Sequence, residues 1–261
     1  MEYISEKQIM KTNTIYNEDC IQTMLRMNEG MIDLTVTSPP YDHLKTYKGY
    51  KFDFESIAKE LFRVTKIGGV LVWVVADETK NGSESGTSFR QALYFLSIGF
   101  KLHDTMIWHK PNSFNFGSNL CYRNSFEYMF VFSKGKIKTV NLIKDIQTKS
   151  AGKILKGARK HADGSRDFVP DFKVSPLKKR DNVWTISVGG KNYGHPAVFP
   201  EKLANDHICS WSNKGDLIYD PFIGSGTTAV CAIKNNRNFL GSEISSDYFG
   251  FAKKRIEGVW S

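Results

Sequence analysis

A chain of 261 residues can form one large α/β domain, or a core with an insertion, around a substantial interior, and its 41% hydrophobic and 24% charged content is that of a globular protein. No apolar run approaches bilayer length and the stretch from Met1 to Met10 is mixed and polar, which excludes a membrane-spanning class and leads us to expect a cytoplasmic protein. The net charge of +9 is concentrated, with fourteen basic against four acidic residues between Lys134 and Arg180 and a near-neutral remainder.

In chain order, Thr14 to Tyr16 reads as a short strand entering Asn17-Glu18-Asp19-Cys20, and Ile21, Met24, Leu25 and Met27 give the next helix a buried face. Asp19 stands at that junction, either as a helix cap or as an acceptor at a pocket rim. The run Ile32-Asp33-Leu34-Thr35-Val36 predicts a buried strand, stopped by Thr37-Ser38-Pro39-Pro40-Tyr41. Two prolines cannot extend a sheet ladder, so they fix a turn that displays a hydroxyl, a carbonyl and an aromatic ring at the strand's carboxyl end. In open α/β sheets that end is where ligands bind, although an ordinary strand-ending turn would also account for the pattern.

Asp42 to Tyr50 is polar and reads as a mobile surface loop able to close on a substrate. Phe54, Ile57, Ala58, Leu61, Phe62 and Val64 recur at helical spacing, with Gly68-Gly69 expected to end that helix before a strand over Val70 to Val75. A glycine and serine loop over 81–86, a helix near 88–98, a strand over 100–108 running into His109-Lys110-Pro111-Asn112, and a strand over 127–132 follow. From about 133 to 181 hydrophobic periodicity fades while lysine rises, which reads as an inserted, irregular basic module. Such a segment suits a polyanion-binding surface, and a solvated linker has the same composition.

Regularity returns with a strand over 183–186, then Gly194-His195-Pro196-Ala197-Val198-Phe199-Pro200 leads into a helix through Leu203, His207 and Trp211. A strand over 216–219, the turn Asp220-Pro221-Phe222-Ile223-Gly224-Ser225-Gly226-Thr227, a helix over 228–235, a strand over 238–244 and a helix over 247–256 close the chain. Alternating strands and helices predict a largely parallel sheet covered on both faces, a three-layer α/β sandwich. Cys20, Cys121, Cys209 and Cys231 are scattered with no CxxC pair, so they are expected reduced and near the core, with neither a disulfide framework nor a metal site.

The glycine turn has the logic of a nucleotide pocket: close backbone approach, a following helix amino terminus, and Glu243 at the end of the next strand to accept from ribose hydroxyls. The missing third glycine counts against a typical nicotinamide dinucleotide site.

With the Ser-Pro-Pro-Tyr turn near one end and Asp220 to Thr227 near the other, the chain resembles the S-adenosylmethionine-dependent amino-group DNA methyltransferases in their beta arrangement, catalytic motif first and cofactor motif last. Asn17 to Cys20, Trp108 to Asn112 and His195 to Pro200 match in family order, and the likeness spans nearly the whole chain outside the basic module. The resemblance implies a permuted, Rossmann-like class I methyltransferase fold. It divides the chain into a catalytic half (1–132), a target-recognition insertion (133–182) and a cofactor-binding half (183–261). Ser38, Pro39, Pro40 and Tyr41 would be catalytic. Asp19, Thr37, His195, Pro196, Phe199, Asp220, Phe222, Gly224, Ser225, Gly226, Thr227 and Glu243 would hold S-adenosylmethionine. Lys110, Asn112, Lys178, Lys179 and Arg180 would contact DNA.

The implied partner is double-stranded DNA, with a homodimer and a cognate restriction endonuclease as further partners the family admits. Serine at position 38 resembles the N4-cytosine subset, with N6-adenine as the alternative. Carbon-5 methylation needs a cysteine after a proline, and no cysteine here follows one. A noncatalytic nucleic-acid-binding protein would explain the basic module but not the paired turns, and a dinucleotide-dependent oxidoreductase would explain the glycine turn and Glu243 but not Ser-Pro-Pro-Tyr.

Overall fold

A computed structural model describes residues 10–40, 52–112, 121–188 and 200–260. It divides into two compact units, one comprising Met1–Asn141 with Asn182–Ser261, the other Leu142–Asp181.

The larger unit opens with β1 (Thr14–Tyr16), α1 (Cys20–Arg26), β2 (Ile32–Thr37), α2 (Phe54–Val64) and β3 (Thr65–Val75). A small hairpin of β4 (Thr79–Lys80) and β5 (Ser83–Glu84) precedes α3 (Thr87–Ser97), β6 (Lys101–His109) and β7 (Phe126–Ser133). The smaller unit holds β8 (Lys144–Gln147), β9 (Ile154–Lys160), β10 (Arg166–Lys173) and β11 (Leu177–Lys179). The larger unit resumes with β12 (Val183–Thr185), α4 (Glu201–Trp211), β13 (Leu217–Asp220), α5 (Thr227–Lys234), β14 (Asn238–Ser242) and α6 (Ser246–Trp260).

Among the described residues, eight strands form one sheet in the order β1-β14-β13-β2-β3-β7-β6-β12. All neighbouring pairs are parallel except the two made by β7, which runs antiparallel to both β3 and β6. The alternation of strands and helices predicts the parallel body. It does not predict the reversed direction of β7, because no helical pattern lies between β6 and β7 and the chain returns beside the strand it has just left.

The buried strands send successive side chains to opposite faces. Val70, Val72 and Val74 join Leu203, Ile208, Val230 and Ala252 from α4, α5 and α6. Leu71, Trp73 and Val75 join Met24, Ile57, Leu61 and Phe95 from α1, α2 and α3. Among the described residues, three helices therefore cover each face, and the larger unit is the three-layer sandwich expected.

Four local expectations need correction. Leu25 is 62% exposed, so the buried stripe of α1 is Cys20, Thr23 and Met24. The helix over 54–64 ends at a Thr65 cap whose amide donates to Leu61 O, not at the glycine pair. Gly68 and Gly69 lie inside β3, where Gly68 has φ +84° and a Cβ on Gly69 would meet Asp33 O at 2.9 Å, so the pair makes a bulge against β2. Cys121 is exposed while Cys20 and Cys231 are buried.

The last correction concerns the basic module, which is not irregular. β9 pairs with β10 and β8 with β11, both antiparallel. Nearly every residue of these strands is exposed on both faces, so no buried side imprints an alternation on the sequence. The compact unit begins at Leu142, because residues before it pack on the larger unit: Lys134 Nζ donates to Phe62 O at 2.8 Å, and Asn141 N donates to Ser210 O at 2.8 Å.

A candidate active site at the strand carboxyl ends

Strands β2 and β13 are parallel neighbours, pairing Leu34 with Ile218 and Thr35 with Tyr219, so their carboxyl ends open side by side. Thr37 ends β2 and Asp220 ends β13. The Thr37 hydroxyl donates to Asp220 Oδ1 at 2.6 Å, the Phe222 amide donates to the same oxygen at 3.0 Å, and the Thr228 hydroxyl donates to Oδ2 at 2.7 Å. One carboxylate thus fastens the start of the Ser-Pro-Pro-Tyr turn to both sides of the glycine turn. Burial pushes the Asp220 pKa up to about 6, opposed by those same donors.

Past Thr37, Ser38 is half-buried and Pro39 buried, while Tyr41 lies outside the described residues. His195, Pro196 and Phe199, and the loop expected over 42–50, also lie outside them.

On the β13 side, Gly224 and Gly226 both take positive φ, +50° and +82°. Gly226 caps α5 in the left-handed conformation with no side-chain cap bond, and a Cβ there would sit 3.2 Å from Ala252 Cβ. Ser225 and Thr227 are buried, their hydroxyls 3.3 Å apart. The half-buried Phe222 ring stands edge-on to Phe52 and Trp73 at centroid distances of 5.7 and 6.3 Å.

Glu243 follows β14 and is 9% exposed, and burial raises its pKa. Its Oε2 accepts the Gly224 amide at 3.0 Å and its Oε1 the Ser245 amide at 2.8 Å. Each oxygen keeps lone-pair capacity beyond that bond, as a pair of ribose hydroxyls requires. The buried Ser245 Oγ has no hydrogen-bond partner among the described residues, a second polar group left for a ligand. Glycine backbone, helix amino terminus, aromatic ring, carboxylate and unpaired hydroxyl together fit the nucleoside of S-adenosylmethionine.

Asp19 caps α1, accepting from the Ile21 amide at 2.7 Å. Lys110 and Asn112 follow β6, whose direction matches β3 through the reversed β7, so they stand on the same rim as the two turns. Lys110 Nζ donates to Glu127 Oε1 at 2.7 Å and lies 5.4 Å from the Trp108 ring. Asn112 clasps Val188, accepting its amide at 2.9 Å and donating to its carbonyl at 3.3 Å. In the smaller unit, Lys178 and Lys179 are exposed on β11, whereas Arg180 is ion-paired with Asp145.

Several positioning residues escape a reading of motifs. Asn17 donates to Glu243 O at 2.7 Å and accepts from the Ser246 hydroxyl at 3.1 Å, holding the end of β14. Arg255 of α6 donates to Ser225 O at 3.0 Å, to Thr227 Oγ1 at 3.0 Å and to Glu201 Oε1 at 2.5 Å. Asn17 opens a motif already singled out, so its position was a usable signal. Arg255 sits in an ordinary amphipathic helix with no local signal at all.

A mostly parallel sheet covered by helices on both faces, with a proline turn and a glycine turn joined through Asp220 at neighbouring strand ends, has the Rossmann-like fold. The N6/N4 methyltransferase family, described as DNA methylase, matches residues 32–254, and this chain belongs to that family. It is 53% identical over 238 residues to the orphan methyltransferase M.BamHII of Bacillus amyloliquefaciens, covering 87% of this chain and 89% of that protein. The solved PvuII DNA methyltransferase, cytosine-N4-specific, superposes with a TM-score of 0.70 at 21% identity, over 96% of this chain and 92% of that one. A DNA modification methylase of Thermus thermophilus complexed with S-adenosyl-L-methionine gives 0.64 at 23% identity, over 94% and 93%. The protein is therefore an S-adenosylmethionine-dependent amino-group DNA methyltransferase, which removes the noncatalytic and oxidoreductase alternatives. No helix among the described residues is long and apolar enough to cross a membrane.

Proposed function

We propose that this enzyme methylates the exocyclic N4 amine of cytosine flipped out of duplex DNA. The observation that carries the reading is the Asp220 carboxylate, which receives Thr37 from one turn and Phe222 and Thr228 from the other and so ties the two turns together at the ends of neighbouring strands. S-adenosylmethionine supplies an electrophilic methyl group on a sulfonium. An exocyclic amine is a poor nucleophile because its lone pair is delocalised into the ring. The Ser38 hydroxyl and the Pro39 carbonyl accept the two amine hydrogens, which favours a pyramidal nitrogen with its lone pair free to attack the methyl carbon; the carbon–sulfur bond would break to leave a neutral thioether, and one amine hydrogen would leave as a proton to solvent. Pro39 and Pro40 hold those acceptors in place before substrate arrives, and Tyr41 stacks on the extruded base.

In this reading Phe222, Gly224, Gly226, Thr227 and Glu243 hold the cofactor, with His195, Pro196 and Phe199 near its methionine part. Lys110, already fixed by Glu127, lies on the rim where the base enters, and the module over 142–181 chooses the target sequence. Serine at position 38, as in the N4-cytosine subset of the family, supports cytosine over adenine.

Incubation with DNA and labelled cofactor, followed by mass spectrometry of the nucleosides, decides the base. N4-methylcytosine is expected, and N6-methyladenine would overturn the cytosine assignment while leaving the amine chemistry intact. Ser38→Ala should lower turnover at least 100-fold while cofactor affinity by calorimetry stays within about threefold, consistent with loss of a preorganised acceptor. Unchanged turnover would end the catalytic assignment.

A further inference from the structure

The hairpin of β9 and β10 has two unlike faces. Residues directly opposite in an antiparallel pair share a face, and alternate residues along a strand share it too. The register pairs Arg166 with Lys160, Phe168 with Ala158 and Lys173 with Ile154, which places these six and Lys156 on one side. The other side takes Asp167 opposite Arg159, Val169 opposite Gly157 and Phe172 opposite Leu155. The first face thus carries four cations, Lys156, Lys160, Arg166 and Lys173, against one acidic side chain, Asp171 in the bulge between Val169 and Phe172. None of the four makes an ion pair among the described residues. On the second face Arg159 lies against Asp167, which is itself paired with His161 at 2.6 Å.

The cationic face is also where the apolar side chains are most exposed, Phe168 at 85% and Ile154 at 72%. A solvated ribbon gains nothing from holding a bare aromatic ring among unpaired cations, whereas a nucleic-acid groove uses both. At about 3.4 Å per residue, Lys156 and Lys160 stand roughly 13 Å apart along β9, close to the roughly 12 Å width of the DNA major groove, which admits a two-stranded ribbon. Phe168, opposite Ala158, falls between them, where an apolar side chain meets thymine methyl groups.

We infer that this face of the β9–β10 ribbon enters the major groove of the target duplex, with Lys156, Lys160, Arg166 and Lys173 on the flanking phosphates or guanine edges and Phe168 on the base edges between. The inference rests on DNA being the substrate, and it moves the principal contacts away from Arg180, whose charge is taken by Asp145.

The test uses the full-length enzyme and a mixed-sequence 30-base-pair duplex, with affinity measured by fluorescence anisotropy across salt concentrations. Each phosphate contact contributes about 0.9 to the slope of log affinity against log salt. The variant K156Q/K160Q/R166Q/K173Q should therefore lose about 3.6 from that slope while binding S-adenosylmethionine normally by calorimetry. The double variant K160Q/R166Q, with an expected loss of about 2, serves if the quadruple variant fails to bind the cofactor. Phe168→Ala should leave the slope alone and raise at least threefold the fraction of methyl groups placed outside the preferred sequence, mapped by sequencing.

An unaltered slope overturns the inference. So does a loss of about 0.9 from Arg159→Gln, which would mean both faces count equally, or equal affinity for duplex RNA, whose narrow major groove excludes a ribbon. If the unmodified enzyme transfers no methyl to DNA, the functional reading fails first. If it does and the slope is unaltered, only the ribbon fails.

Discussion

Asp220 carries its charge where water is excluded, and three donors from two separate turns converge on it. Asp220→Ala strands all three and should cost about 2–4 kcal/mol by urea denaturation, at roughly 1 kcal/mol or more for each unsatisfied buried donor. Asp220→Asn is different, because its amide can donate to Thr228 Oγ1 while that hydroxyl turns to Val36 O, 3.4 Å away. That variant should fold and report on pH. The folded pKa of about 6 lies above the usual 3.8, so Asp220 stabilises the fold below pH 3.8 and loses that contribution as pH rises through 6.

His207 has the opposite sign. It is fully buried, accepts the Trp211 indole N–H at 3.2 Å and is held neutral with a pKa of about 3, so its contribution is complete above 6.5 and lost as pH falls. Between pH 7 and 5 the two partly cancel, His207 costing about 2 kcal/mol and Asp220 returning about 1. Asp220→Asn should therefore make acid destabilisation steeper than in the unmodified protein, read from denaturation midpoints at each pH. Equal slopes would show that Asp220 keeps an ordinary pKa. Thr37 and Asp220 were both legible as motif members, but the bond between them was not, since 183 residues of chain separate them.

At the scale of elements, the glycine turn is braced from behind by helices. Arg255 of α6 holds the Ser225 carbonyl and the Thr227 hydroxyl, and Glu201 at the start of α4 holds both Arg255 and Lys234 of α5. The Lys234 and Arg255 contacts together hold the Glu201 carboxyl below its usual range. Arg255→Gln should raise the KM for S-adenosylmethionine about 5–50-fold with kcat within a few fold, since roughly one to three kcal/mol of positioning is lost and no reacting atom is touched. Glu201→Gln should mimic it in part, and the double variant should fall short of additivity. A drop confined to kcat would contradict the positioning role. Helices and parallel strands were readable wherever one face is buried, as in the unbroken run from Val70 to Val75. They were unreadable where burial is absent, as in β9 and β10, or where a bulge interrupts the pattern, as at Gly68 and Gly69. A helix-to-loop brace such as Arg255 leaves no trace in spacing, because its partners come from distant segments.

At the scale of the molecule, the order of strands in the sheet is not their order in the chain. Residues of the glycine turn come last in sequence yet occupy the middle, with β13 flanked by β14 and by β2. Thr14 pairs with Leu240, a separation of 226 residues, and Leu34 pairs with Ile218. During synthesis, then, β1 leaves the ribosome long before β14 exists, and β2, which soon has β3 on one edge, waits for β13 on the other. Those edges stay open until β13 and β14 emerge. Such long-range pairing slows folding and lengthens exposure of unpaired edges. A nascent chain halted after residue 182 should be cut rapidly by protease within β2, whereas the finished chain should resist there. The enzyme's yield in a cell would thus depend on how quickly its final segment is made, a constraint set by sheet topology and independent of the chemistry that the sheet supports.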